Sequence, residues 1–510
     1  MHWTQLFRRK PLEQLMGDTI EPELQLKRVL GPVQLTALGV GASIGAGIFS
    51  SIGSAVAGGP DHLGAGPAII VSFVLVAVAC ALAGVCYAEF ASMVPTAGSA
   101  YTYSYATLGE MVAWVIGWDL ILEYAVGNVA VAVSWSGYFQ QLLRGFGLHL
   151  PGWLGTDYRS ALQAAGQVAQ LTAAHGDLST LSQEVSEAAE AWIHAPQIGG
   201  LHLVFNVPAF LIVILLTWIL LLGIRESAWF NASMVAVKLV IVLFFLAVGA
   251  FYIQPENWSP FAPHGFKGIA SGAAIIFFAY IGFDAVSTAA EETRDPQRNM
   301  PIGILASLVV CTIVYIAVAV VLTGMVKASK LGTAEPLATA FAARGINWAA
   351  GIISFGAVVA TTSVLFVFQL GQPRIFFVMA RDGLLPRWAS KVHPRYRTPY
   401  VTTILTGVLV AVFAGVSNIN EVVELCNIGT LFAFILVAAG VLVLRRTDPD
   451  RPRPFRTPWL PWVPLGAIAT CVWLMWELPL KTWWRFIFWL VVGLLIYFSY
   501  SFRRSRLHRM

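Results

Sequence analysis

Two ionisable side chains stand where only lipid-compatible groups are expected. Lys238 lies ten residues into an apolar run that begins near Ala228, and Glu123 lies twelve residues into another that begins near Met111. At about 1.5 Å of helix rise per residue, these positions are roughly 15 Å and 18 Å deep, the middle of a hydrocarbon core about 30 Å thick. An ionisable group at that depth costs at least about 2.5–3.5 kcal/mol on insertion scales, so each needs a partner or a task. For Lys238 the task is proton coupling or replacement of a bound cation, and the alternative is a permanent ion pair between helices. For Glu123 it is contact with substrate or water, and the alternative is a buried structural carboxylate. Glu89 and Arg374, and at the other side Glu421, Glu424 and Glu477, fall near the ends of apolar runs and are expected to be interfacial or structural, while Asp119 and Asp284 are intermediate.

A second chemistry is written in glycine. Gly39-Val40-Gly41-Ala42-Ser43-Ile44-Gly45-Ala46-Gly47 places four glycines in nine residues near the middle of the first apolar run. Phe277-Phe278-Ala279-Tyr280-Ile281-Gly282-Phe283-Asp284 occupies the corresponding place in the sixth. Glycine permits the backbone turns and close approaches that an unwound segment needs. A helix broken in the bilayer is tolerated only where protein or a water-filled cavity covers the break, and spans one and six are where inverted-repeat transporters break. The competing reading of Gly41-x-x-x-Gly45 is a helix-packing surface of small residues. Free N–H groups at a half-helix start attract a carboxylate, and free C=O groups at the other half's end attract an ammonium. An α-amino acid carries both.

The elements that must hold these residues are membrane helices. Of 510 residues, 57% are hydrophobic and only 12% charged, and the mean hydropathy of +0.71 lies far from soluble averages. Segments of roughly 20 apolar residues recur about twelve times. They lie near 33–57, 67–94, 111–143, 204–224, 228–253, 268–290, 302–326, 348–380, 400–416, 421–444, 459–477 and 483–501. With both termini inside, 22 Lys and Arg residues fall in cytoplasmic segments and 8 outside, the bias that sets orientation. The long loop 144–203 then lies outside, and its stretch from Ser160 to Trp192 reads as one or two amphipathic surface helices. Residues 1–30 show no removable signal sequence and are expected to persist as a cytoplasmic tail. The +5 formal charge is scattered among short loops, which argues against nucleic acid as a partner.

Other chemistries find little support. The five cysteines all sit in apolar runs without metal-ligand spacing, and the four histidines of the 144–203 loop lack i, i+4 spacing, so neither a metal nor a disulfide framework is expected. No phosphate-binding Gly-rich loop ending in Lys-Ser/Thr, no His-Glu-x-x-His and no Gly-x-Ser-x-Gly appears, so neither an ATP-driven pump nor an enzyme is expected, and no cofactor. A nutrient-sensing receptor built on a transporter fold is the remaining rival of another class. The tryptophans of the last two spans, Trp459 to Trp489, read as an interfacial belt or a dimer surface.

The chain resembles the amino acid–polyamine–organocation superfamily, and within it the cationic amino acid transporter branch and its bacterial relatives. The resemblance is carried by Gly45-Ala46-Gly47-Ile48-Phe49, Phe278-Ala279-Tyr280-Ile281-Gly282-Phe283-Asp284, Glu291-Glu292-Thr293-Arg294-Asp295-Pro296, and Gly371-Gln372-Pro373-Arg374 followed by Arg381-Asp382-Gly383-Leu384-Leu385-Pro386. It runs from about residue 26 to 500, with the 144–203 loop outside it. It implies an all-α polytopic membrane protein of two inverted five-helix repeats, 31–253 and 254–446, with helices eleven and twelve and a cytoplasmic tail in 447–510. It further implies secondary active amino acid transport by alternating access in the inner, or plasma, membrane. The substrate carboxylate would meet the stretch Ser43, Ile44, Gly45, Ala46 and Gly47, and its amino group the carbonyls of Phe278, Ala279 and Ile281. Glu123 would contact the substrate, and Thr361, Thr362 and Ser363 would help set specificity. Members of the bacterial branch are proton-coupled and carry a lysine in the fifth helix, which makes Lys238 the expected coupling residue and protons the expected co-substrate. Exchange of one amino acid for another, or for a polyamine, is the alternative mode.

Overall fold

The computed structural model describes residues 8–10, 30–59, 62–93, 99–173, 183–221, 228–393 and 398–505. Helices dominate it, joined by two 2-residue antiparallel ribbons, Gly58–Gly59 with His62–Leu63 and Gln197–Ile198 with Leu201–His202.

In chain order the helices are α1 (Pro32–Ser43), α2 (Gly47–Ala57), α3 (Ile69–Met93), α4 (Ser99–Thr107) and α5 (Glu110–Gly145). The cap loop supplies α6 (Tyr158–Ala173) and α7 (Gln183–Ile193). Then come α8 (Val207–Leu221), α9 (Ala228–Gly249), α10 (Gly265–Ile276), α11 (Pro296–Met325), α12 (Pro336–Ala342) and α13 (Asn347–Arg381). After them follow α14 (Tyr400–Val416), α15 (Ile419–Thr447), α16 (Trp462–Trp476) and α17 (Leu480–Ile496). Proline begins α11 and α12 and occupies the first turn of α1, where its missing N–H costs no helical bond.

Among the described residues eight helices are long and apolar enough to cross a membrane, and α1 with α2, bent by 43° at their break, make a ninth. Each of the twelve expected segments contains a helix. Within the described residues, three of those helices, α8, α14 and α16, are shorter than a full crossing. Large apolar side chains on α14, α16 and α17 are exposed, Phe413, Trp476 and Phe488 among them, as a lipid-facing surface requires.

Association between helices in lipid relies on close packing and hydrogen bonds, because lipid tails are as apolar as the helices themselves. The chain shows both. A Cβ on Gly493 of α17 would run into the Trp118 ring of α5. That ring stacks on Trp489 at 4.4 Å, and each indole N–H donates to the other residue's carbonyl, at 2.9 Å and 3.1 Å. At the end opposite the cap, Glu89 is buried and held by Arg445 through two bonds of 2.8 Å and 3.0 Å, with Arg453 at 3.3 Å. Both partners lie outside the apolar run of α3, so a carboxylate near the end of that run is fully paired.

The amphipathic stretch of the cap forms α6 and α7, which pack through Ala164, Ala188 and Ala189; its middle, 174–182, lies outside the described residues. The cap is tied down at both sides. Arg144 pairs with Glu187 at 2.9 Å, Arg159 pairs with Glu421, and Asn418 donates to the Ser160 hydroxyl at 2.7 Å. At the same end Glu335, just before α12, lies over Gly137, whose added Cβ would stand 3.0 Å from its Oε2. Burial there pushes its carboxyl up to about 7, opposed by Arg144 and reinforced by Glu187.

Candidate substrate site at two paired helix breaks

The two glycine-rich breaks lie against each other. α1 ends where Ile44 turns extended, at φ −73° and ψ 94°, and helix resumes at Gly47 with a π-helical turn. α10 tightens into a 3₁₀ turn at Phe277–Tyr280, after which Ile281 is extended and Gly282 takes φ +125°. A Cβ on Gly47 would overlap the Ala279 backbone. A Cβ on Gly282 would stand 2.7 Å from the Ala42 carbonyl carbon and 2.9 Å from the Ser43 nitrogen, in a backbone region that side chains disfavour anyway. Backbone thus meets backbone, and glycine is needed on both faces of the contact.

The polar groups that the breaks release point in useful directions. The Ile44 N–H still donates to the Val40 carbonyl at 2.9 Å, and the Ile48 and Phe49 N–H groups fold back on the Gly45 carbonyl at 3.2 Å and 3.1 Å. Among the described residues no backbone acceptor faces the N–H groups of Gly45 and Ala46, at the start of α2. This is the positive end of a helix, suited to an anion. On the second break, the Phe278 carbonyl accepts from the Ile281 N–H at 3.3 Å and the Ala279 carbonyl from the Tyr315 hydroxyl at 2.7 Å. Among the described residues no donor reaches the Ile281 carbonyl, which leaves it the freest of the three expected acceptors.

Neighbouring helices hold the breaks in shape. Lys238 of α9 is fully buried, and its Nζ donates to the Gly41 carbonyl in the last turn of α1 at 2.6 Å. Asn427 of α15 donates from Nδ2 to the carbonyls of Ala274 and Ile275 at the end of α10, at 2.7 Å and 3.1 Å. The Asp284 carboxylate accepts from the Gly282 N–H at 3.1 Å. Ser50 of α2 is linked to Ser134 of α5 at 2.6 Å and donates to the Ala334 carbonyl, and the Tyr138 hydroxyl donates to the Phe49 carbonyl.

Glu123 is buried on α5, within electrostatic reach of Asp119 and Asp284 and beside the Thr430 hydroxyl. Asp119 is fully buried, faces Gly429 of α15, and neither of its carboxylate oxygens has a hydrogen-bond partner among the described residues. Two of the three expected α13 hydroxyls are engaged elsewhere. Thr361 donates to Ala357 at 2.6 Å, and Thr362 accepts from the Trp135 indole at 2.8 Å. The α13 residue that meets the first break is Val364, whose Cγ2 would be 2.9 Å from a Cβ on Gly45. Val364, Tyr315 and Asn427 are missed by sequence reasoning, because nothing in their own runs distinguishes them from other packing positions.

Residues 30–497 match the family model described as amino acid permease. The chain belongs to that family. Among curated proteins this permease is 45% identical over 504 residues to the methylthioribose transporter of Bacillus subtilis (strain 168), covering 99% of both chains. It is also 45% identical over 505 residues to the branched-chain amino acid permease BcaP of the same organism, again covering 99% of both. The vacuolar cationic amino acid transporter 4 of Arabidopsis thaliana is 36% identical over 451 residues, 87% of this permease and 68% of the relative. These relatives carry the names of permeases and transporters. The chain is an integral membrane transport protein, not an enzyme.

Proposed function

We propose that this permease is a secondary active amino acid transporter that works by alternating access around the paired breaks. The observation that carries the reading is the contact of Gly47 with Ala279 and of Gly282 with Ala42 and Ser43, which sets the two helix breaks against each other. A zwitterion spans such a pair: its carboxylate takes the N–H groups of Gly45 and Ala46, and its ammonium the Ile281 carbonyl. Glu123 and Thr430 then face the substrate side chain.

In this reading the transporter has twelve spans in two inverted repeats plus two further helices, with both termini and the 381–399 loop in the cytoplasm and the cap outside the inner, or plasma, membrane. Coupling runs through Lys238. As an ammonium it fixes the Gly41 carbonyl by a charge-assisted bond, the task a bound cation would otherwise perform. Loss of its proton to the cytoplasm weakens that bond and frees α1 to move.

The relatives differ in their named cargo, and the methylthioribose transporter, as similar as the branched-chain permease, favours one rival reading: a thiosugar substrate. Counterflow in proteoliposomes separates the two. Preloaded amino acid that drives uptake of the labelled amino acid supports this proposal. Counterflow with methylthioribose alone overturns it.

A further inference from the structure

We propose that Asn427 is a substrate-binding residue that selects for cargo carrying a hydrogen-bond donor on its side chain. The inference rests on the transporter reading above and deepens it. The orientation of the Asn427 amide is forced. Its nitrogen faces two carbonyl oxygens, those of Ala274 and Ile275, and only the NH₂ end of an amide can donate to them. Helical carbonyls point toward the helix carboxyl end, so the amide that receives them lies on the side of α10 that leads into the second break.

Oδ1 therefore turns away from α10. Asn427 is fully buried, and among the described residues no donor reaches Oδ1. A buried acceptor left in this way is uncommon and calls for a donor from elsewhere. The surroundings of α15 show where that donor would come from. One residue earlier, the Cys426 thiol reaches the Glu123 carbonyl at 3.6 Å, and Thr430, one turn on, lies beside the Glu123 carboxyl. Phe434, a further turn on, packs its ring against Phe277 at 5.8 Å and Phe283 at 5.2 Å. α15 thus runs along the second break, with Asn427 on the carbonyl end of α10, Cys426 and Thr430 on Glu123, and Phe434 on Phe277 and Phe283. A substrate seated by its carboxylate and ammonium on the two breaks extends its side chain toward that wall. A hydroxyl, ammonium or guanidinium there satisfies Oδ1, whereas a branched aliphatic side chain leaves it unpaired, which is how a site built for a donor rejects an isostere lacking one.

The test uses near-isosteric pairs, threonine against valine and lysine against norleucine, with alanine as a reference, in binding assays on the purified full-length permease. The expected result is that the donor-bearing member of a binding pair wins by at least about tenfold. Asn427→Leu should bring that ratio close to one, even where loss of its bonds to the Ala274 and Ile275 carbonyls weakens binding of every amino acid, and Asn427→Ala gives the same readout without added bulk should the leucine variant fail to assemble. Equal or tighter binding of valine or norleucine by the wild type, or an unchanged ratio in the variants, overturns the inference and leaves the transporter reading standing. Failure of the wild type to bind any of the five overturns the inference, and failure to bind any of the twenty amino acids overturns the transporter reading as well.

Discussion

The Lys238 ammonium lies 2.6 Å from the Gly41 carbonyl, so a buried cation on α9 grips the last turn of α1 just before its break. This contact is to a neutral carbonyl. Removing one member of a buried ion pair commonly costs about 3–5 kcal/mol, whereas orphaning a neutral buried acceptor costs about 1–3 kcal/mol. Lys238→Met is therefore expected to insert and remain folded, with a modest loss of thermal stability. A variant that fails to reach the membrane at all would assign Lys238 a structural role.

Gly47→Ala should reduce uptake at least tenfold, although it adds a single methyl. The space it would fill belongs to the Ala279 backbone, so the two breaks must separate to admit it. Gly166→Ala in the cap, where nothing lies within 4 Å, serves as the control and should transport normally. Wild-type uptake by the Gly47 variant at normal expression would remove the paired breaks from the mechanism.

Sidedness is open to cysteine labelling. Ser160, at the start of the amphipathic stretch of the cap, accepts a hydrogen bond from Asn418, so its replacement would disturb the cap. Gly166 stands in open space and Val392 is 39% exposed, which makes them better positions. An impermeant thiol reagent on closed cells should label Gly166→Cys and spare Val392→Cys; the reverse pattern would invert the topology.

Glu335 predicts a pH dependence. Its carboxyl is pushed up to about 7 by burial, so the folded protein binds a proton that the unfolded chain, at the ordinary 4.5, has released. The stabilising proton is fully held below the unfolded value, and its contribution is lost as pH rises from about 4.5 through about 7. The melting temperature should fall across that window, and Glu335→Gln, permanently neutral, should flatten the fall. Equal slopes for the two proteins would show that Glu335 is not responsible.

The parts legible in the sequence are those set by solvent and by depth. Apolar run length locates every helix that crosses or nearly crosses, and the glycines of 39–47 and Gly282 mark the breaks because no other residue type allows backbone to touch backbone there. Lys238 stands out because its charge is anomalous in its run. The parts that stay hidden depend on which residue of another helix arrives opposite. Val364 over Gly45, Tyr315 on the Ala279 carbonyl and Asn427 at the end of α10 look like ordinary packing or surface choices in their own segments. Thr362 shows the converse: its hydroxyl lies in an expected specificity segment, yet the Trp135 indole claims it.

Coupling is the central claim, and proton-driven accumulation tests it most directly. Proteoliposomes without sodium would be supplied with whichever of the twenty amino acids raises the melting point of the purified permease most. With acid outside, the wild type should concentrate that amino acid, and replacement of choline by sodium should change nothing. Lys238→Met should still bind and exchange it but no longer concentrate it. Undiminished accumulation by Lys238→Met, or strict dependence of the wild type on sodium, would contradict the account.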